Sequence, residues 1–358
     1  MLENGSVTPV VRAPMHAGHQ PKVEVQCGRA LPAFDTVDRM NSILSALELD
    51  TCSELVDPAE NIDLMAAMAR VHEPGLIRFI ENAWQEVPRE HDELDLIFAD
   101  TFLHPGLKSP GSAAQDNGTE MHFGRYAFDT ITGIGPGTWS AARGSVASAL
   151  TAAELVAGGH QLALALCRPP GHHVTSSVFG GGCYLNNAAI TAQWLTDHGS
   201  AKVAVIDVDF HHGNGTQAIF YDRADVIYAS LHGDPSRSYP FFTGYADETG
   251  ESIGKGANIN VPLPPEANGV TYLDRLGHAL EKIDQLSPDI VVVSLGFDTY
   301  RDDPAGDAQL ETPDYEDIGN AISSLGKPMV ALLEGGYWTP SLGANVAGWL
   351  TGAANRGK

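Results

Sequence analysis

Positive charge is what this 358-residue sequence has least of: 21 Lys and Arg stand against 45 Asp and Glu, a formal net charge of −24. Such a surface repels phosphate backbones and anionic membranes, so neither nucleic acid nor a lipid surface is an expected partner. The excess could steer a cationic substrate; an acidic coat kept for solubility has the same composition, and charge alone does not separate the two. Cysteine is scarce as well. Cys27, Cys52, Cys167 and Cys183 form no CxxC pair. Cys167 ends an apolar run and Cys183 lies in a glycine-rich loop, which argues for buried free thiols over disulfides. No uninterrupted run of about 18 apolar residues occurs, which argues against a membrane-spanning helix. Met1 to Val7 are polar and lack the basic-then-apolar profile of a secretory leader. These absences together read as a cytoplasmic protein. Internal repeats and low-complexity segments are missing too.

What is present is a 43% apolar content and 38 glycines, enough for a full core with many tight turns. Residues 1 to 20 are expected to be loosely ordered. Helical spacing runs over Asp35–Leu47 and Asn61–Val71, then from a turn at Val71 through Trp84, and over Thr138–Val156. Residues 86–136 have little periodicity and many Pro, Gly, His and acidic side chains; a stretch of that length inside a compact enzyme is usually functional or disordered. Five continuous apolar runs follow: Leu162–Cys167, Val203–Val208, Val226–Leu231, Ile290–Leu295 and Met329–Leu333. Runs apolar on both faces suit a parallel sheet covered by helices, here expected at Asn187–His198, Val270–Leu286, Asp314–Leu325 and Thr339–Gly352. The expected fold class is α/β, a single domain over 1–358 with a central parallel sheet.

Polar clusters stand immediately after these runs: Arg168-Pro-Pro-Gly-His172-His173, Asp207-Val-Asp209-Phe-His211-His212, Ser230-Leu-His232-Gly-Asp234, Phe297-Asp298 and Glu334-Gly-Gly-Tyr337. Ligands bind at the carboxyl ends of strands in open α/β sheets, so the five clusters should share one rim. Residues two apart in an extended chain point the same way. Asp209 and His211 can therefore reach one ion, Asp207 a neighbouring group or a second ion, and Asp298 from another strand would complete an Asp–His–Asp set. Three protein ligands leave room for water, and mixed nitrogen and oxygen donors suit Zn²⁺, Fe²⁺, Co²⁺ or Mn²⁺. Singly, a strand-end aspartate is often only a helix N-cap; five carboxylates and five histidines on adjacent strand ends ask for more. Two adjacent imidazoles resist sharing a positive charge, so the pKa values of His172 and His173 should separate, leaving one as base and one as cation. Tyr337 could donate to a developing oxyanion.

RPPGHH (168–173), GGGCYLNNAAI (180–190), DVDFHHGNGTQ (207–217), SLHGDP (230–235), SLGFDTYRDDP (294–304) and EGGY (334–337) resemble the histone deacetylase superfamily. SLHGDP followed by Phe242-x-x-Tyr245-Ala-x-Glu248-Thr-Gly looks most like its bacterial acetylpolyamine amidohydrolases. The resemblance covers about residues 60 to 352 and implies an arginase/deacetylase-type fold of about eight strands. It further implies a catalytic Zn²⁺ and a homodimer formed through the long early loop. Carried onto this chain, the metal ligands are Asp209, His211 and Asp298. His173 becomes the general base and acid, with Asn214 orienting it. His172 paired with Asp207 is its electrostatic partner, and Tyr337 polarises the carbonyl. A structural K⁺ or Na⁺ would lie among Asp207, Asp209, His211, Ser230 and Leu231. Glu120 falls where relatives place an acid that meets the substrate's distal ammonium.

The chain also departs from that pattern. Gly182, beside Gly181, stands where the family has an aromatic channel wall; the opposite wall is Tyr239, usually Phe. A second acidic position of relatives is Ile131, with Asp129 nearby. The expected reaction is removal of an acetyl or other acyl group from an amine nitrogen, with acetylated polyamines or similar small cationic amines as substrates. Acetyl-lysine or another N-acyl small molecule is the first alternative, and an arginase-like manganese ureohydrolase the second.

Overall fold

The computed structural model describes residues 7–50, 52–86, 96–104, 106 and 119–355, the side chains of 119–122 excepted. The alternation of apolar runs and amphipathic segments becomes an eight-stranded sheet in the order β4-β1-β5-β10-β9-β6-β7-β8. Its strands are β1 (Thr8–Val11), β4 (Ser53–Val56), β5 (Leu162–Ala165), β6 (Val203–Asp207), β7 (Val226–Gly233), β8 (Asn258–Leu263), β9 (Ile290–Leu295) and β10 (Met329–Leu333). Every pairing within it is parallel. A separate antiparallel hairpin joins β2 (Val23–Gln26) to β3 (Arg29–Pro32).

Alternation along the strands sorts the core into two layers. Val203, Val205, Val292 and Val330 face one side, where α3 (Pro74–Glu86), α5 (Thr138–Ala157) and α6 (Asn187–Asp197) bring Ile77, Val146 and Ile190. Ala204, Ile206, Val291 and Val293 face the other. There they meet Ile43 of α1 (Val37–Leu47), Leu276 of α8 (Gly269–Leu286), Ile318 of α9 (Thr312–Ser323) and Trp349 of α10 (Thr339–Ala354). Helices on both faces leave only the strand ends open to a ligand.

The segment expected to be loosely ordered at 1–20 is corrected from Thr8 onward: β1 is fully buried and pairs with β4 and β5. Four residues are too few to show a period. The stretch 86–136 is also less irregular than expected, since it contains α4 (Thr119–Tyr126) and an antiparallel bridge between Ile97 and Ile134. The expected helix at Asn61–Val71 is shorter, α2 (Leu64–Ala69), because Asp63 caps it by accepting the Ala66 N–H at 3.0 Å. No helix among the described residues is long and apolar enough to cross a membrane.

One buried histidine fixes the approach to α6. His72 is 2% exposed; its Nδ1 lies 2.9 Å from the Thr175 carbonyl and its Nε2 accepts the Asn186 N–H at 3.0 Å. Asn186 in turn caps α6. Burial lowers the His72 pKa from 6.5 to about 4, so on acidification the unfolded chain takes up the proton first. Its contribution is intact above pH 6.5 and is lost towards pH 4, by at most about 3 kcal/mol. Glu334, raised to about 7 by burial, titrates with the opposite sign, so the comparison must be with His72→Gln, which keeps hydrogen-bonding capacity without a proton to gain. Urea-unfolding curves from pH 7 to 4 should show a shallower acid decline for the variant. Parallel slopes would remove His72 as a source of acid lability.

Candidate metal centre and active site

The site is assembled at the ends of β6, β9 and β10, which are neighbours in the sheet. Asp207 closes β6 in register with Ser230 on β7 and Ser294 on β9. Two residues on, Asp209 accepts the Gly335 N–H at 2.8 Å on Oδ2 and the His211 N–H at 2.8 Å on Oδ1. Asp298, just beyond β9, accepts the Phe210 N–H at 2.7 Å. His211 Nδ1 lies 3.2 Å from Asp209 Oδ1 and 2.9 Å from Asp298 Oδ2. One donor atom from each of the three residues lies within 4.8 Å of the others.

These residues fit a divalent cation. Asp209 and Asp298 are both completely buried, and two buried carboxylates face to face need a positive charge. Burial, then Asp209, raises Asp298 to about 7. Burial opposes the charge on His211, but the two carboxylates outweigh it and raise that imidazole to about 10. Backbone without side chains makes the close approach possible. A Cβ on Gly335 would lie 2.5 Å from Asp298 Oδ2 and 2.6 Å from Asp209 Oδ2, and one on Gly296 would lie 2.2 Å from Asp209 Oδ2.

His172 and His173 lie beside this group with ring centroids 4.1 Å apart, and their environments differ. Burial works against a charge on His172, yet the Asp207 and Asp209 carboxylates, with Glu334 behind, prevail and hold it well above the ordinary imidazole range. Its Nδ1 is 3.1 Å from Asp207 Oδ2, which also accepts from the Tyr228 hydroxyl at 3.0 Å. His173 is held well below that range by burial and by the positive charges of His172 and His211. Its Nδ1 donates to Asn214 Oδ1 at 2.7 Å, so Nε2 carries the free lone pair. Asn214 opens α7 (Asn214–Phe220), the short helix that follows the DFHHG turn.

Tyr337 is placed by groups that sequence reasoning missed. Arg39, fully buried on α1, donates from Nε to the Gly336 carbonyl at 2.6 Å and from Nη2 to the Glu334 carbonyl at 2.5 Å. Its guanidinium lies 4.8 Å from the Tyr337 ring centroid. Asp303 accepts the backbone N–H of Tyr337 at 2.6 Å and of Trp338 at 3.0 Å. Glu334 holds the RPPGHH turn by accepting the Gly171 N–H at 2.7 Å and the His172 N–H at 3.2 Å. Arg39 is a lone basic residue in a helical stretch and Asp303 one of a run of acids, so neither carried a local signal.

A cavity of about 510 Å³ opens over these groups, reaching His172, His173, His211, Tyr337, Gly181, Gly182, Tyr239 and Asp129. Phe102, Asp129, Thr130 and Ile131 contribute to its wall, so part of the long early stretch lines the site. Glu24, on the β2–β3 hairpin, also faces it; it was not anticipated, because nothing in a short polar hairpin points to a sheet-end site. Burial raises its pKa, with Asp35 and Asp129 adding to the shift. At Gly182, φ is +73° and a Cβ would meet nothing within 4 Å, so the wall opposite Tyr239 is open. Glu120 lies on α4, its side chain outside the described residues. Ser230 Oγ sits 2.8 Å from His232 Nδ1, and Leu231 is buried beside it.

The model of the histone deacetylase domain matches residues 34–353. The chain belongs to the histone deacetylase family. It is 40% identical over 339 residues to the acetylpolyamine amidohydrolase of Mycoplana ramosa, covering 95% of this chain and 97% of that protein. Acetylpolyamine amidohydrolase 2 of Pseudomonas aeruginosa is 38% identical over 340 residues, 94% and 96% of the two chains. Among solved structures of this family, the acetylpolyamine aminohydrolase of Burkholderia pseudomallei superposes with a TM-score of 0.91 at 35% identity, over 98% of this chain and 99% of that one. Histone deacetylase family proteins are typically metal-dependent, and Asp209, His211 and Asp298 form a group that could hold the ion.

Proposed function

We propose that the protein is a zinc-dependent amidohydrolase that removes the acetyl group from acetylated polyamines or similar small cationic amines. The observation that carries the reading is geometric: two adjacent imidazoles, His172 held on the Asp207 carboxylate and His173 on the Asn214 amide oxygen, stand beside an Asp–His–Asp group in a single cavity. Asp209, His211 and Asp298 would hold the ion; Fe²⁺, Co²⁺ or Mn²⁺ would suit the same donors. A divalent metal held there supplies Lewis-acid polarisation of the scissile carbonyl and eases deprotonation of the attacking water. His173, its Nδ1–H committed to Asn214, uses Nε2 to take a proton from the water and to pass one to the leaving amine. The water oxygen bonds to the acyl carbon, the C–N bond breaks, and the products are acetate and the free amine. His172, cationic against Asp207, and the Tyr337 phenol face the charge that builds on the carbonyl oxygen. Burial pushes the Tyr337 pKa well above 10, so the phenol keeps its proton to donate.

A structural K⁺ or Na⁺ among Asp207, Ser230, Leu231 and the backbone of Asp209 and His211 would brace the same strand ends, and a homodimer through the early loop remains part of the proposal. The acid of Glu24 in the cavity wall, the Glu120 position and the net charge of −24 support a cationic substrate. The named relatives support acetylpolyamines, and the family match supports a deacylase over an arginase-like ureohydrolase. The test compares acetylputrescine, acetylspermidine, an acetyl-lysine peptide and an uncharged N-alkylacetamide, with metal content measured on the same sample. Acetylpolyamines should give the highest kcat/KM; equal values for the uncharged amide would remove the cationic-amine reading. The open wall at Gly182 favours a second reading, an N-acyl compound bulkier than acetyl, and a preference for such substrates in the same screen would establish it.

A further inference from the structure

Asp129 lines the cavity, and its position suggests an acid that meets a substrate ammonium. Its hydrogen bonds are already committed. Oδ1 accepts the backbone N–H of Ile131 at 3.1 Å and of Thr132 at 3.2 Å; Oδ2 accepts the Gly181 N–H at 2.7 Å and the Tyr239 hydroxyl at 2.7 Å. Four donors match the four lone-pair sites of a carboxylate. One residue on, Thr132 Oγ1 accepts the Gly182 N–H at 2.8 Å. The 129–132 segment therefore holds both amides of the Gly181–Gly182 turn, whose φ angles are +62° and +73°.

That turn and Tyr239 are the two sides of the channel above His173. Gly181 packs so closely on the His173 ring that a Cβ would lie 2.2 Å from Cδ2. The Tyr239 ring meets His173 edge-on with centroids 5.1 Å apart, and Phe128 stacks beyond it at 6.4 Å. Gly182 itself presents no side chain to the Tyr239 ring, and a Cβ there would meet nothing within 4 Å. Beside the Phe128 stacking, the Tyr239 hydroxyl bond to Asp129 is the polar tie to the opposite side, and a phenylalanine at 239 has no such donor.

We propose that Asp129 is a positioning residue: by joining the Tyr239 hydroxyl to the Gly181 amide it fixes the width of the substrate slot and so sets acyl selectivity. This rests on the N-acyl amine reading above. A charge-assisted hydrogen bond at the slot wall predicts that Tyr239→Phe raises KM for an acetylated amine about tenfold with a smaller change in kcat. It also predicts that the preference for acetyl over butyryl on the same amine narrows. Asp129→Asn should do the same, and the double variant should be no worse than the more impaired single one. The bond itself is read without activity, from urea-unfolding midpoints of the same four proteins, where the two substitutions should be non-additive. Additive midpoints, or a Tyr239→Phe enzyme with unchanged KM and unchanged acetyl/butyryl ratio, would overturn the proposal. If Asp129→Asn does not fold, Tyr239→Phe alone decides it through the KM shift and the ratio. If the parent protein hydrolyses neither substrate while the midpoints are non-additive, the bond stands and the functional reading is what has failed.

Discussion

Chelation should bring turnover down to background, a single equivalent of Zn²⁺ should restore it, and the protein should stay folded throughout. Loss of activity is expected because, on the proposed mechanism, His173 and Tyr337 would have no polarised carbonyl to act on without the ion. The fold persists because the ligands are appended to strands already secured from both sides; β6 and β9 are buried along their full length. Losing a ligand that binds only the native state lowers stability by RT ln(1 + [L]/Kd), about 4 kcal/mol when free metal is a thousandfold above Kd. The melting temperature should fall while far-UV circular dichroism below the transition stays the same. The decisive measurement pairs elemental analysis with turnover on one sample, and a metal-free protein with full activity would end the metal-dependent reading.

Tyr337→Phe should lower kcat roughly 10²–10³-fold, the loss expected when one oxyanion donor worth about 2.7–4 kcal/mol is removed. The ring remains anchored, because Arg39 and Asp303 grip the backbone of its turn rather than its hydroxyl. KM and metal content should consequently move little, and kcat and kcat/KM should drop together, the pattern of an interaction made only in the transition state. Equal turnover in a folded, metal-loaded variant would assign the oxyanion to other groups.

The sequence made the centre of this molecule legible and its margins obscure. The five strands recognisable as continuous apolar runs are β5, β10, β9, β6 and β7, five consecutive positions in the sheet. They are buried on both faces, which writes an unbroken apolar run into the chain. The strands that escaped notice stand outside them: β1 and β4, four residues each and β4 half exposed, and β8, where Asn258 and Asn260 interrupt the pattern. The site divides in the same way. Asp209, His211, Asp298, His172 and His173 follow recognisable strands at short spacing and are brought together. Arg39, Asp303 and Glu24 reach the site from α1, a loop and the hairpin, at sequence separations where single residues carry no pattern. Asp129 was visible as an acid near the expected place, but its four donors come from three separate segments and only the folded chain brings them together.

The Asp209–His211–Asp298 group and the tandem histidines follow strands at the middle of the sheet, whereas Glu24, Asp129 and Tyr239 ride on segments outside it. Reaction and selectivity therefore sit on parts of the chain with different freedom to change. Exchanging segments 24–34, 129–132 and 239–245 for those of another scaffold would leave the backbone that carries His172, His173, Asp209, His211 and Asp298 in place, while the contacts of Tyr239 with His173 and of Phe34 with Tyr337 would have to be kept. An engineer could treat the sheet as a fixed reactor and the three connections as an interchangeable inlet.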